Sequence, residues 1–338
     1  MIQSPYLLFL GDAPDQATAK TAAGIRQWRP ESCAGQLRLS GCRVDLGLPD
    51  LSAREAAANG VRTMILGIAN DGGFIAPNWI EAIVEALQEG LDVASGLHEP
   101  LAGVPAIVAA ARQAGRQLIE VRQPRQSFAP GTGRKRSGMR LLTVGTDCAV
   151  GKKYAALAIE KELRSRGIDA DFRATGQTGI FIAGRGVAVD SVVSDFVSGA
   201  AEWLSPDASA SHWDVIEGQG SLFHPAYAGV TLGLIHGSQP DAMVLCHELA
   251  RREIADYPGF AIPSCDTAFE SYLGAARLTN PAARFVGVCL NTSQLEETEA
   301  RRALADVTKR TALPCCDPIR TGVAAIVDRL IHARAFPP

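Results

Sequence analysis

Short apolar runs alternate along this chain with longer stretches whose apolar positions recur at helical spacing. In the first 125 residues, YLLFLG (6–11), MILGI (64–68), LDVASGL (91–97) and QLIEV (117–121) predict buried strands. Between them, NWIEAIVEALQEG and VPAIVAAARQAG carry a helical pattern and end in Gly, a common helix stop. Strand–helix alternation of this kind implies a parallel sheet covered by helices. Residues 1–125 are therefore expected to form a Rossmann-like α/β domain. The segment LGDAPDQATAKTAAG places Gly11 after a strand but carries no G-x-G-x-x-G, so no dinucleotide is assigned there. Lys20 and Thr21 read as an ordinary helix face.

QPRQSFAPGTGRKRSG (123–138) is rich in Pro, Gly, Ser and charge, and residues 126–138 are expected to be a linker. Its basic cluster, Arg134 to Arg136 with Arg140 nearby, reads as a solvated face. The alternation then restarts. MRLLTVG is a strand, KKYAALAIEKELRSRG a helix and DADFRATG a second strand, and WDVIEGQG, PDAMVLCHE and ARFVGVCLN supply three more. SDFVSGAAEWL reads as helical, with Asp195 and Glu202 on one face as solvated carboxylates.

Composition changes this picture little. A length of 338 residues favours two domains, and a net charge of −3 excludes a duplex-sized nucleic-acid footprint. No segment reaches the roughly 18 apolar residues of a membrane span, and the start lacks the basic residues of a secretory leader. The eight cysteines contain no C-x-x-C pair, which excludes the usual zinc pattern and a secreted disulfide framework. The expectation is a reduced, cytoplasmic protein with no nucleic-acid or membrane partner and no metal, forming a homo-oligomer.

The chemistry concentrates in RLLTVG-TDCAVGKK-YAALAIEKELRSRG, a strand, a Gly-bounded turn and a helix. Gly145 and Gly151 let the backbone curl so that successive N–H groups point at an anion, and the helix start adds its dipole. Lys152 supplies a point charge for a phosphate. Five residues, Thr146, Asp147, Cys148, Ala149 and Val150, separate the glycines, one more than in G-x-x-x-x-G-K-[ST]. Lys153 stands where an ATPase carries a hydroxyl for Mg²⁺, and an ammonium cannot ligate a metal. Gly145 to Tyr154 are thus expected to hold a nucleotide-bearing cofactor, and residues 139–338 to form a P-loop NTPase-like α/β domain.

Other polar clusters follow strands, where ligands bind in open α/β sheets. In RATGQTGIFIAGRG, Thr175, Gln177 and Thr178 alternate with glycines, and Arg173 and Arg185 are candidates for gripping a carboxylate. In WDVIEGQGSLFHPAYAG, Glu217 ends a strand beside two glycines, with Gln219 and His224 following. Asn291 and Thr292 end another strand, and LPCCDPIRTG is expected to close the last loop over the same edge.

Taken together, GTDCAVGKK, RATGQTGIFIAG, SDFVSGAAEWL and VIEGQGSLFHPAYAGVTLGLIHGSQPDAMVLCHE resemble the bacterial D-glutamate N-acetyltransferase family over nearly the whole chain. The resemblance implies a Rossmann-like domain followed by a P-loop domain, and transfer of an acetyl group from acetyl-CoA to D-glutamate in D-amino-acid catabolism. The loop alone also resembles that of dethiobiotin synthetase, which ends in Lys-Thr where this chain has Lys153. Under the family's reaction the loop would neutralise coenzyme A phosphates. Glu217 or His224 would be the base, and backbone N–H groups or Gln219 the oxyanion donors. Arg173 or Arg185 would hold the substrate carboxylates, with Thr175, Gln177 and Thr178 also facing substrate. The competing readings are an ATP-dependent ligase or kinase of the dethiobiotin-synthetase type and a nucleotide-binding regulatory module without turnover.

Overall fold

The computed structural model describes residues 2–124 and 126–332 and divides into two compact units. The first contains β1 (Tyr6–Gly11), α1 (Lys20–Trp28), β2 (Cys33–Arg38), α2 (Ala53–Ala58) and β3 (Thr63–Leu66), followed by α3 (Ile80–Gln88), β4 (Asp92–Ser95), α4 (Pro105–Ala114) and β5 (Leu118–Glu120). Its strands run parallel in the order β2-β1-β3-β4-β5. The expected strands and helices form because the apolar runs bury completely. Leu7, Leu8, Phe9, Met64, Ile65 and Leu66 are all without solvent exposure. Helix ends follow local chemistry: Ser52 and Glu55 form a capping box on α2, and Gly115 ends α4 with φ +64°. β2 (CAGQLR) lacks the apolar run that marks the other strands, because its inward position is a polar Gln36. That amide is buried among Asp45, Asp50 and the Leu46 N–H, each of which it meets by hydrogen bond.

The second unit holds β6 (Met139–Gly145), α5 (Lys152–Ser165), β7 (Ala170–Arg173), α7 (Val197–Leu204), β8 (Trp213–Ile216) and α8 (Ala228–Ser238), and then β9 (Ala242–Glu248), α9 (Cys265–Arg277), β10 (Arg284–Asn291), α10 (Glu297–Thr311), β11 (Cys315–Cys316) and α11 (Ala324–His332). All pairings are parallel, in the order β11-β10-β9-β6-β8-β7. From β6 the chain crosses to the edge strand β7 and returns to β8 between them, then passes to β9 and builds outward through β10 to β11 on the other side. β6 is thus at the topological switch point, where open α/β sheets bind ligands. Among the described residues all eight cysteines are free thiols, and no helix is long and apolar enough to cross a membrane.

Two expectations change. Gly176–Ala188, expected within the second domain as part of the polar cluster that follows its second strand, groups with the first unit. It contains α6 (Gln177–Ala183), which packs on α1 and joins Thr178 Oγ1 to Thr21 Oγ1 at 3.2 Å. The expected linker 126–138 is instead built into the second unit, and its basic cluster is only partly solvated. Arg136 is 6% exposed and Arg140 1%. Arg140 donates to the carbonyls of Arg136, Ser137, Gly138, Ser205 and Pro206 and to Ser205 Oγ, which in turn donates to Asp214. Six oriented acceptors compensate the desolvation of one guanidinium, so a charge that local sequence reads as solvated becomes a core element. Glu202 is likewise not a free surface carboxylate. It accepts the N–H groups of Thr132 and Gly133.

The same network makes one pH dependence measurable. Burial opposes charge on His212, but hydrogen bonds to Asp169 and Asp214 outweigh it and raise its pKa. A pKa raised on folding contributes stability that is complete below about pH 6.5 and is lost as pH rises through the folded value. Urea unfolding between about pH 6 and pH 9 should therefore show the advantage of the wild type over His212→Gln shrinking as pH increases. An advantage that grows with pH would contradict this.

Candidate functional site

The loop after β6 turns sharply. Ala149 has φ +54° and Gly151 φ +99°, left-handed values that alternate with ordinary ones and aim successive N–H groups inward. A Cβ on Gly145 would meet Val150 Cγ2 at 2.8 Å and Lys152 Nζ at 3.2 Å, so the first glycine lets the loop close over itself. Lys152 opens α5 almost completely buried, and its Nζ donates to the Asp147 carbonyl at 2.7 Å. Burial pushes its pKa below the ordinary lysine value. Lys153 places its ammonium 4.9 Å from the Tyr154 ring centroid.

Asp147 organises the loop from below. It is fully buried, and its Oδ1 accepts the Cys148 N–H at 2.6 Å. Its Oδ2 accepts from Arg251 at 2.7 Å and from the Ala255 N–H at 2.8 Å. Arg251 also donates to the Cys148 carbonyl and pairs with Glu248. Burial opposes the Arg251 charge, but these carboxylates outweigh it and raise its pKa. Thr146 Oγ1 lies 3.0 Å from His247 Nδ1, and burial together with nearby Arg310, Arg251 and Arg252 holds His247 below its ordinary value. Tyr272 donates to the Gly145 carbonyl at 2.7 Å, and its phenol is pushed up to about 12, chiefly by burial. Arg251, His247 and Tyr272 escaped the sequence reading. Each sits roughly a hundred or more positions from the loop, and the only local signal was the Arg251–Arg252 pair just beyond a strand end.

Glu217 follows β8 and is 4% exposed. Its Oε2 accepts the Thr175 N–H at 3.0 Å, while Thr175 Oγ1 donates to its carbonyl at 2.6 Å. The next residue packs directly on the loop strand. A Cβ on Gly218 would lie 1.8 Å from the Thr143 carbonyl oxygen and 3.0 Å from Lys152 Cδ. Glu217 is therefore beside the phosphate loop. His224 is 2% exposed, its Nδ1 accepts the Ala226 N–H, and its ring stacks on Tyr227. Asp147, Cys148 and His224 each offer a potential ligand atom within 4.8 Å of the others. Asp147 already accepts from a guanidinium and two N–H groups, so its carboxylate is compensated as a brace of the loop. Burial pushes the Cys148 thiol up.

With this geometry in hand, the relationships are clear. A domain of unknown function, DUF1611, matches in two parts, its P-loop domain over residues 127–327 and its Rossmann-like domain over residues 37–124. The chain belongs to the DUF1611 family. A D-glutamate N-acetyltransferase of Pseudoalteromonas sp is 48% identical to it over 97% of this chain and 99% of the relative. Another protein of that name, from Tritonibacter scottomollicae, is 49% identical over 98% and 99%. The crystal structure of a DUF1611 family protein from Anabaena variabilis superposes with a TM-score of 0.87 at 30% identity, covering 98% of this chain and all of that one.

Within this DUF1611 chain, the residues singled out from sequence fall into separate groups. Gly145 to Lys152, Thr175, Glu217 and His224 belong to the second unit at the carboxyl edge of its sheet. Gln219 is there too, its carbonyl accepting from Thr231. Gln177, Thr178 and Arg185 belong to the first unit, where Gln177 packs against Gly96. Arg173 is committed to Asp214 at 2.5 Å and to Asp171 at 3.3 Å. Its charge is compensated in place by these two carboxylates. Asn291 Oδ1 accepts the Ser293 N–H, and Thr292 donates to the buried Asp317 from the closing loop.

Proposed function

We propose that this protein is an N-acetyltransferase that moves the acetyl group of acetyl-CoA to the α-amino group of D-glutamate. The carrying observation is the near-complete alignment, at 48% and 49% identity, with relatives bearing that name. The loop supports a donor of this kind. Its inward N–H groups, the start of α5 and Lys152 make an anion seat that suits the phosphates of coenzyme A. The absence of a hydroxyl at Lys153 removes the usual Mg²⁺ ligand of an ATP-using enzyme.

For Glu217 and His224 this proposal favours a role in donor binding over that of the base. The thioester of acetyl-CoA is separated from its phosphates by the whole pantetheine arm. His224 lies against the loop, and Gly218, next to Glu217, packs on Lys152, so both residues neighbour the phosphate seat in this reading, with the thioester further along the arm. In this reading both residues shape donor binding. Thiol release from acetyl-CoA with D-glutamate tests the activity, and Mg²⁺-dependent ADP formation from ATP without thiol release would overturn it. Glu217→Gln and His224→Ala should raise the donor KM about tenfold and leave kcat within about threefold. A hundredfold fall in kcat at unchanged KM would return the acyl-transfer step to the loop.

A further inference from the structure

Four aromatic rings form a continuous ladder beside the phosphate loop. Tyr227 stacks on His224 with ring centroids 4.4 Å apart, His224 meets Tyr257 edge-on at 5.0 Å, and Tyr257 meets Phe260 edge-on at 6.1 Å. The inner part is tied to the loop, because His224 reaches Cys148 and Asp147. The outer ends are open, with Tyr227 51% and Phe260 53% exposed.

The ladder is held in register with the loop from two directions. On the β8 side, Gly218 packs on β6, and a tight turn follows in which the Tyr227 N–H donates to the His224 carbonyl. On the β9 side, Arg251 and Ala255 bind Asp147, which places Tyr257 two residues further along. The segment then closes on itself through the Ile254 N–H to the Phe260 carbonyl at 2.7 Å. Rings from two separate segments are thus aligned by Asp147, the residue that braces the loop from below.

We infer that this ladder is the rail for the pantetheine arm of the donor, leading from the phosphates in the loop towards the thioester. The inference rests on acetyl-CoA being the donor. A pantetheine arm is a narrow, extended chain of methylenes, a dimethyl carbon and two amides. A row of rings meeting mostly edge to face matches that shape along its length, whereas a nucleobase covers a single flat face. The tyrosine hydroxyls add polar handles for the amides.

The two halves of the donor separate the possibilities. Calorimetric titration with 4′-phosphopantetheine, ADP and acetyl-CoA is made on the wild type, on Tyr257→Leu and on Tyr227→Leu, with thermal melts confirming that each variant is folded. Because the two tyrosines lie on different segments, a folding defect in one leaves the other as the test. The rail predicts that 4′-phosphopantetheine and acetyl-CoA weaken about tenfold while ADP binds as before. Equal weakening of ADP would assign the rings to the base, and unchanged 4′-phosphopantetheine binding would remove the rail altogether. If the wild type binds neither acetyl-CoA nor 4′-phosphopantetheine, the donor assignment fails and the rail falls with it. If it binds both and the variants match it, only the rail fails.

Discussion

Replacing Lys152 with alanine is expected to raise the KM for acetyl-CoA about a hundredfold, equivalent to about 2.7 kcal/mol of lost binding. The ammonium is buried at the start of α5 and donates to the Asp147 carbonyl, a partner it can exchange for a phosphate oxygen. A charge-assisted bond in a desolvated seat is worth more than one on the surface. Acetyl-N-acetylcysteamine, a thioester without phosphates, provides the control. It should react poorly with both enzymes, and Lys152→Ala should change its rate by less than about threefold. Equal losses with both donors would mean that Lys152 acts at the thioester. Because burial lowers the lysine pKa, donor affinity should also decline with rising pH before ordinary lysines titrate, near about 10.4. That decline should disappear in the alanine variant.

The largest stability effect belongs to Arg140, far in function from the loop. Arg140→Met should destabilise the second unit by about 3–5 kcal/mol, the range for removing one member of a buried charged network. The methionine can occupy part of the volume, but it leaves the carbonyls of Arg136, Ser137 and Pro206 without their shared donor. It also unbalances Asp214, which is buried and otherwise meets Arg173, His212 and Ser205. Urea unfolding followed by circular dichroism measures the change. The surviving folded fraction should keep its donor KM, since Arg140 lies at the start of β6 and the loop at its end. A loss under about 1 kcal/mol would show that water replaces the guanidinium at little cost.

The alternation of apolar runs and helical periods made both parallel sheets legible, because strands buried on both faces must be apolar throughout. The phosphate loop was legible for a similar reason: Gly145, Gly151 and Lys152 act within eight consecutive residues. Where the governing interaction was distant, local pattern misled. β2 hides behind Gln36, whose polarity is satisfied by Asp45 and Asp50 across a turn. Arg136 and Arg140 look solvated until the Gly237 carbonyl and the Glu202 carboxylate are brought to the first and the carbonyls of residues 205 and 206 to the second. Arg173 looks like a free cation until β8 presents Asp214 beside it.

By itself, then, the sequence determined the two α/β units, the anion-binding loop and the lack of a metal-binding hydroxyl after Lys152, since each depends on residues adjacent along the chain. Only the tertiary structure decided what surrounds the loop. It set Asp147 and Arg251 as its brace, placed Glu217 and His224 against it, withdrew Arg173 into an ion pair and lined up four rings beside it. These arrangements depend on strand order, which brings residues a hundred positions apart within a few ångströms. Burial then decides which of their charges are compensated and which are left for a ligand.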